Sequence, residues 1–113
     1  MTDKELLELA AKAAGIRIDY SETNGGGRGN TGFDVMGNAV LDWHNGKTWN
    51  PLTDDGAALR LAARLKLTVD FETFAIWGAG DQSQDRLVMA DGTLAGFRRA
   101  IVVAAAEIGK GEA

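Results

Sequence analysis

The sequence of 113 residues contains no cysteine, one proline and one histidine. Without cysteine the chain has neither a disulfide framework nor a thiolate metal site, and a reducing cytoplasm suits it. Positive charge is also scarce, because 12 Lys and Arg stand against 16 Asp and Glu, for a net charge of -4. Nucleic acids and anionic membranes attract basic surfaces, so bulk electrostatic binding to either is not expected.

Long apolar runs are missing as well. The longest, Ala100 to Ala106, falls far short of the ~20 residues that cross a bilayer. Residues 1–5 are polar and acidic, unlike the apolar centre of a signal peptide. We therefore expect a soluble, cytoplasmic protein with no membrane partner.

The composition, 45% apolar and 25% charged, is that of a folded protein. A chain of this length can bury one core, so we expect residues 1–113 to form a single domain. Residues 21–32 are dense in Gly, Asn, Ser and Thr and should form a flexible loop. Gly109 and Gly111 should end the last helix and leave residues 110–113 as a frayed tail.

The segment from 49 to 72 predicts a turn, a helix and a strand in direct succession. Asn50-Pro51 initiates a turn, after which Thr53 or Asp54 can cap a helix that begins at about Thr53. The apolar side chains that share one face of this helix are Ala58, Leu61, Ala62 and Leu65. From Leu67 to Glu72 apolar and polar residues alternate, which predicts a strand.

Two further helices are predicted from their caps. Thr2 and Glu5 form a capping box before a helix over residues 3–14, and Thr93 can cap a last helix. The apolar stripe of that last helix consists of Leu94, Phe97, Ile101, Ala104, Ala105 and Ile108. Burying a large apolar side chain contributes ~1.5 to 3 kcal/mol, so a charge at Phe97 or Ile101 should threaten the fold.

Short strands should complete the fold. Besides the strand after the central helix, the pattern predicts strands over residues 16–20, 39–43, 47–49, 74–77 and 86–90. Asn45-Gly46 predicts a hairpin turn in which both residues have positive φ. Three helices and about five short strands, joined mostly by hairpins, favour an α+β fold: a mostly antiparallel sheet with the three helices packed on one face.

One stretch formally matches a nucleotide-binding motif. The run Gly27-Arg28-Gly29-Asn30-Thr31-Gly32 has the G-x-G-x-x-G spacing, but such a loop must lead from a strand onto a helix N-terminus. The residues after it are a poor helix start, and Phe33 stands where a Walker A loop has its lysine. We expect a flexible loop, with a phosphate site as the alternative. Arg28 and Asn30 are binding candidates in this loop.

The single histidine, His44, follows Asp42 by two residues. In a strand the two side chains would share a face, so an acid/base pair is geometrically possible, but no nucleophile motif accompanies it. A histidine at a hairpin turn is the ordinary interpretation. Asp54 and Asp55 are better explained as first-turn helix acids than as metal ligands. No catalytic residue, metal or cofactor is therefore predicted, and we do not expect an enzyme.

Tryptophan and arginine supply the remaining candidates. Trp43, Trp49 and Trp77 are expected in the core or at its edge, although Trp43 and Trp49 could be close across the hairpin. If one of them lies exposed beside Arg17 or Arg28, a binding surface is the better interpretation, so Trp43, Trp49 and His44 are kept as binding candidates. The basic candidates are Arg60, Arg64, Arg98 and Arg99. We expect them on solvated helix faces, paired with acids, with a local patch for nucleic acid or an acidic partner as the alternative.

Two segments carry a resemblance to phage proteins. Small hypothetical proteins of tailed bacteriophages and prophages are similar to two segments of this chain. The first is the run Trp49-Asn50-Pro51-Leu52-Thr53-Asp54-Asp55-Gly56 followed by Ala58-Leu59-Arg60-Leu61-Ala62, and the second is the late segment from Arg98 to Gly109. The first segment is also similar to the NinX-like phage family, in which an aromatic-Asn-Pro turn precedes a helix and a strand. The resemblance implies phage origin and a bacterial cytoplasm, but no established activity or site residues.

The leading hypothesis is a non-enzymatic phage or prophage accessory protein that binds a host or phage macromolecule. Its expected contact surfaces are the loop over residues 21–32 and the Asn45-Gly46 hairpin, because loops on a rigid scaffold often carry binding. The alternatives are a small-ligand or nucleotide-binding protein that uses the glycine-rich loop, and a nucleic-acid binder that uses the arginines.

Overall fold

A computed structural model describes residues 2–20, 32–42, 44–77 and 88–111. Their elements are α1 (Asp3–Ala14), β1 (Ala39–Asp42), β2 (Lys47–Trp49), α2 (Asp55–Arg64), β3 (Thr68–Asp70), β4 (Ala75–Trp77), β5 (Val88–Met89) and α3 (Leu94–Gly111). The class is α+β with antiparallel strands, as the sequence predicts. No helix within these ranges is both long and apolar enough to cross a membrane.

The strands lie in two small sheets, not in the single sheet that we expected. β1 pairs with β2, and β3, β4 and β5 form the other sheet in that order. In the first sheet Ala39 lies opposite Trp49, and the register is irregular between Val40 and Asp42. Phe33 adds one isolated bridge to Ala39. α2 and its flanking turns separate the two sheets along the chain.

Strands end early where an aspartate turns the chain. The strand predicted to run from Leu67 to Glu72 stops at Asp70, whose carboxylate accepts a hydrogen bond from the Glu72 N–H at 2.9 Å. Phe71 and Phe74 consequently lie in the turn between β3 and β4. The predicted strand over residues 16–20 is wrong: this segment makes one backbone hydrogen bond to β1, from the Asp19 N–H to the Val40 carbonyl at 2.7 Å.

The helix starts follow their predicted caps. Thr2 and Glu5 form the capping box of α1. Asp54, not Thr53, caps α2, because its carboxylate accepts from the N–H groups of Gly56 and Ala57. The Thr93 hydroxyl accepts from the N–H of Gly96 at 2.8 Å at the start of α3. Local hydrogen bonding therefore fixes where each helix begins.

α3 lies at the centre of the fold, against α1, α2, β4 and β5. Phe97 and Ile101 are buried as predicted, with 7% and 6% of their surface exposed, whereas Leu94 is 67% exposed and leaves the predicted stripe. The core also includes Leu7, Ala10, Phe33, Ala39, Leu61, Ile76, Val102, Ala105 and Ala106. Both sheets and all three helices thus contribute to one cluster of buried apolar residues.

Gly109 does not end α3, contrary to our expectation. The helix continues through Lys110 to Gly111, and Gly109 is buried against α1. A Cβ at position 109 would collide with the carbonyl oxygen of Leu9. The glycine therefore allows the two helix backbones to approach closely, and the frayed tail predicted from residue 110 is wrong for Lys110 and Gly111.

Candidate binding surface

The β1–β2 and β3–β4 hairpins are closed by four-residue loops of the same design. The aspartate that ends the first strand, Asp42 or Asp70, accepts hydrogen bonds from backbone N–H groups two and three residues further on. These distances are 3.0 and 3.4 Å in the first loop and 2.9 and 3.3 Å in the second. Side-chain hydrogen bonds from Asn45 and Thr73, followed by the backbone bonds, lower the pKa of Asp42 and Asp70 below the ordinary value.

Each loop ends with a residue in the left-handed region. Gly46 has φ 66° and Phe74 has φ 62°. Glycine adopts this conformation freely because it has no Cβ, whereas a bulky L-residue loses roughly 1–2 kcal/mol there. The second loop therefore holds a strained phenylalanine at the position where the first has glycine. Asn45 does not have the positive φ that the sequence predicts, because the loop is longer than a two-residue turn.

Phe71 and Phe74 reach from this loop to α3. Their rings lie 4.6 and 6.0 Å, centroid to centroid, from that of Phe97, the first tilted and the second edge-on. These two rings cover Phe97 but remain exposed themselves, Phe71 by 64% and Phe74 by 42%. Leu94, 67% exposed, lies one helical turn before Phe97. We call Phe71, Phe74 and Leu94 the phenylalanine surface.

Carboxylates border the phenylalanine surface. Asp70 and Glu72 belong to the same loop as the two rings. Both neighbours of Asp91 in sequence lie against Phe74. The Ala90 N–H donates to the Phe74 carbonyl at 2.7 Å, and a Cβ added at Gly92 would be 3.6 Å from the Phe74 ring. A side-chain hydrogen bond from Thr93, and then a backbone one, lower the pKa of Asp91. The border is therefore negatively charged at neutral pH.

The hydrogen bonds of the arginines of α3 go to other groups than the border carboxylates, although Arg99 lines a cavity together with Asp91. Arg98 donates through Nε to the Leu52 carbonyl at 2.9 Å and through Nη1 to Asp55 at 2.5 Å. Arg99 donates through Nη1 to Asp3 at 2.9 Å. Both guanidinium groups therefore bind carboxylates at the starts of α2 and α1 and tie those helices to α3.

The four predicted basic residues do not converge. The Arg60 side chain extends towards the start of α2, where its Nη1 lies 3.1 Å from the position of a Cβ added at Gly56. Arg64 lies at the other end of α2, with Nη2 3.5 Å from the Cβ position of Gly15 at the C-terminus of α1. Arg98 and Arg99 point to Asp55 and Asp3, as described above. The nucleic-acid hypothesis stays a prediction.

Among the other predicted site residues, Arg28, Asn30 and Trp43 lie outside the described residues. His44 is exposed in the turn and not in the strand, and its backbone N–H donates to the Asp42 carboxylate at 3.0 Å. The strand geometry that would place both side chains on one face is therefore wrong. Trp49 is half-buried and packs against the edge of the core, as the sequence predicts.

Gly32 is the described residue of the glycine-rich motif. Its φ is 72°, and a Cβ there would lie 2.6 Å from side-chain atoms of Ile18 and Tyr20. The chain continues through the Phe33 bridge and a turn into β1, where a dinucleotide loop would enter a helix. Packing against Ile18 and Tyr20 thus accounts for this glycine, and the nucleotide hypothesis stays a prediction.

The sequence reasoning missed the phenylalanine surface because it assigned both rings to strands. A signal was present: Asp70-Phe71-Glu72-Thr73 has the Asp-x-x-Thr form of a turn, parallel to Asp42-Trp43-His44-Asn45. Within the described ranges, no group of three or more His, Cys, Asp or Glu side chains is placed to hold a metal ion. The site offers apolar area and negative charge for a partner. Comparison with protein-family models, curated proteins and solved structures found no match to this chain.

Proposed function

We propose that this chain is a phage or prophage accessory protein of the bacterial cytoplasm that binds a host or phage protein and catalyses no reaction. The observation that supports binding is the phenylalanine surface, whose three apolar side chains are 42% to 67% exposed. Two of them contact the ring of Phe97, and the third, Leu94, lies one helical turn before it. Contiguous exposed apolar groups, with aromatic rings inside a polar border, are typical of protein-binding surfaces. The phage origin rests on the sequence resemblance.

The strained backbone of Phe74 supports the same proposal. The matching position in the other hairpin is Gly46, and the two loops otherwise close in the same way. Phe74 leaves 42% of its surface exposed, so its burial against Phe97 is incomplete. Strained residues commonly persist where function uses them. A role in binding a partner explains why an aromatic ring stands at this position.

Affinity capture from host lysate tests the proposal. The tagged chain should retain specific proteins that the double variant Phe71→Ser, Phe74→Gly does not retain. The matched control is Leu59→Ser, since Leu59 is 70% exposed but lies on α2. Circular dichroism must show that all three proteins are folded. Identical retained proteins in all three samples, or none in any, would count against a binding function of this surface.

A further inference from the structure

We propose that the phenylalanine surface binds a basic amphipathic segment of its partner: apolar side chains on one face, flanked by lysine or arginine. This inference rests on the proposed function and adds the chemistry of the partner. Amphipathic helices commonly place an apolar face on such a surface while their charged residues match its border.

The charge of the border selects the partner. Asp70 and Glu72 flank Phe71 directly in sequence, and Asp91 lies between Ala90 and Gly92, the two residues that contact Phe74. A partner that covers the rings must therefore pass close to these carboxylates. An acidic partner would be repelled, whereas a basic one gains attraction and loses little on desolvation at an exposed border.

The same charge argues against two other occupants. A second copy of the chain, placed face to face, would bring its own Asp70, Glu72 and Asp91 against these three. An anionic lipid surface would meet the same repulsion. Arg98 and Arg99, which extend from the same helix as Phe97, are held by Asp55 and Asp3 and do not reverse the sign.

A pair of synthetic peptides provides the probe. The first is a helix of about 18 residues with leucine on one face and lysine on the other, and in the second every lysine is replaced by glutamate. Backbone-amide shifts and calorimetry on the full chain should show binding of the lysine peptide, with shifts centred on residues 70–74 and 90–97. The glutamate peptide should bind at least about tenfold more weakly.

Variants then assign the contact. We expect two variants to weaken binding of the lysine peptide by about tenfold each: Phe71→Ser, and the double variant that combines Glu72→Lys with Asp91→Lys. In the double variant the binding affinity should also depend less on salt concentration. The matched controls are Leu59→Ser, on α2, and Glu107→Lys, exposed near the other end of α3. Both controls should bind as the unchanged chain does.

Three outcomes would overturn the inference: equal binding of the two peptides, shifts centred elsewhere, or binding that survives Phe71→Ser. Amide shifts at the same residues that grow with protein concentration, without peptide, would instead identify a second copy as the occupant. Co-sedimentation with phosphatidylglycerol vesicles, lost in Phe71→Ser, would identify a lipid surface. If the lysine peptide fails while lysate capture still depends on Phe71 and Phe74, protein binding stands and the basic partner is wrong. If both fail, the proposed function fails too.

Discussion

At the scale of single residues, aspartate and asparagine make the turns in a chain with one proline. In the part of the chain that the structure describes, six of these side chains accept a hydrogen bond from the backbone N–H two residues further on, at 2.9 or 3.0 Å: Asp34, Asp42, Asn50, Asp54, Asp70 and Asp91. A short side-chain acceptor can reach its own backbone in this way and compete with a continuing strand or helix. Asp42 and Asp70 therefore end strands, and Asp54 begins a helix.

The shared design of the two hairpin loops predicts opposite effects at matching positions. Phe74→Gly should relieve roughly 1–2 kcal/mol of backbone strain, which offsets the roughly 0.5–1.5 kcal/mol lost with the edge-on contact to Phe97. The free energy of unfolding should thus change by less than about 1 kcal/mol. Gly46→Ala should lower it by roughly 1–2 kcal/mol, because φ is positive there and a Cβ would touch nothing within 4 Å.

Urea unfolding at neutral pH measures both free energies. A loss of more than about 2 kcal/mol in Phe74→Gly would show that the ring is chiefly a core residue and not a surface one. No loss in Gly46→Ala would show that its positive φ is not required.

The only tyrosine gives a pH prediction. Burial, and then the hydrogen bond from its hydroxyl to Glu8 Oε2 at 2.8 Å, raise the pKa of Tyr20 from 10.0 to about 12. The folded state therefore favours the neutral phenol. Tyr20 contributes its full stabilisation below pH 10.0, the ordinary pKa of the unfolded chain, and this contribution is lost as pH rises through about 12, its pKa in the fold. Ultraviolet titration of tyrosinate should show this pKa without interference from another tyrosine.

Glu8→Ala separates the two causes. It removes the hydrogen-bond acceptor and its charge, so only the part of the shift due to burial should remain and the pKa of Tyr20 should move part of the way towards 10.0. Urea denaturation should restore the ordinary value in both proteins. A pKa near 10.0 in the folded, unchanged chain would contradict the contact with Glu8.

At the scale of elements, the close approach of α1 and α3 distinguishes the two glycines in the last turn of α3, Gly109 and Gly111. Gly109 faces the Leu9 carbonyl, whereas Gly111 has nothing within 4 Å of its Cβ position. Gly109→Ala should therefore destabilise the fold by about 1–3 kcal/mol, because backbone must move, despite the better helix propensity of alanine. Gly111→Ala is the matched control and should be neutral or stabilising by up to about 1 kcal/mol.

Urea unfolding of the two variants compares these effects directly. Equal stability of Gly109→Ala and Gly111→Ala would mean that α1 and α3 can separate without cost at this point. It would also restore our original interpretation of Gly109 as a helix end.

The helices could be predicted from sequence and the strands only in part. Thr2, Asp54 and Thr93 act on N–H groups two or three residues away, so each helix start is encoded locally. Gly109 shows the limit: a glycine that ends a helix and one that admits a neighbouring backbone look alike without the neighbour. Phe71 continued an apolar alternation. Asp70 turns the chain there by local hydrogen bonds, but the packing of the Phe71 ring on α3 depends on Phe97, which is distant in sequence.

At the scale of the whole molecule, α3 joins all layers of the fold. Arg99 binds Asp3, Arg98 binds Asp55, and Phe97 contacts Phe71, so α1, α2 and the second sheet all meet on one helix. At Arg99, α3 contacts the first residue of α1, Asp3, and at Gly109 it contacts Leu9, which lies further along α1. The two helices therefore run in the same direction, although Asp3 and Arg99 are 96 residues apart.

Ile101→Asp should consequently unfold the entire chain and not α3 alone. Placing a charge where 6% of the side chain is exposed should cost about 4 kcal/mol or more, a large part of the 5–15 kcal/mol typical of a small protein. Circular dichroism and tryptophan fluorescence should lose their native signals together. Ala95→Asp puts the same charge on an exposed position of α3 and should remain folded.

If Ile101→Asp lost its helical signal but kept native tryptophan fluorescence, the rest of the fold would not depend on α3, because Trp49 packs against the shared core.

The parallel packing of α1 and α3 also orders events during translation. α1 emerges from the ribosome well before α3 is made, yet its buried side chains, Leu7 and Ala10, belong to the core that α3 completes. A nascent chain that ends before residue 94 therefore has no native cover for this helix, and such exposed apolar surface invites aggregation or chaperone binding. Contacts this distant in sequence also slow folding. α1 can consequently acquire its native packing only once α3 has been made, and products truncated before α3 should be degraded.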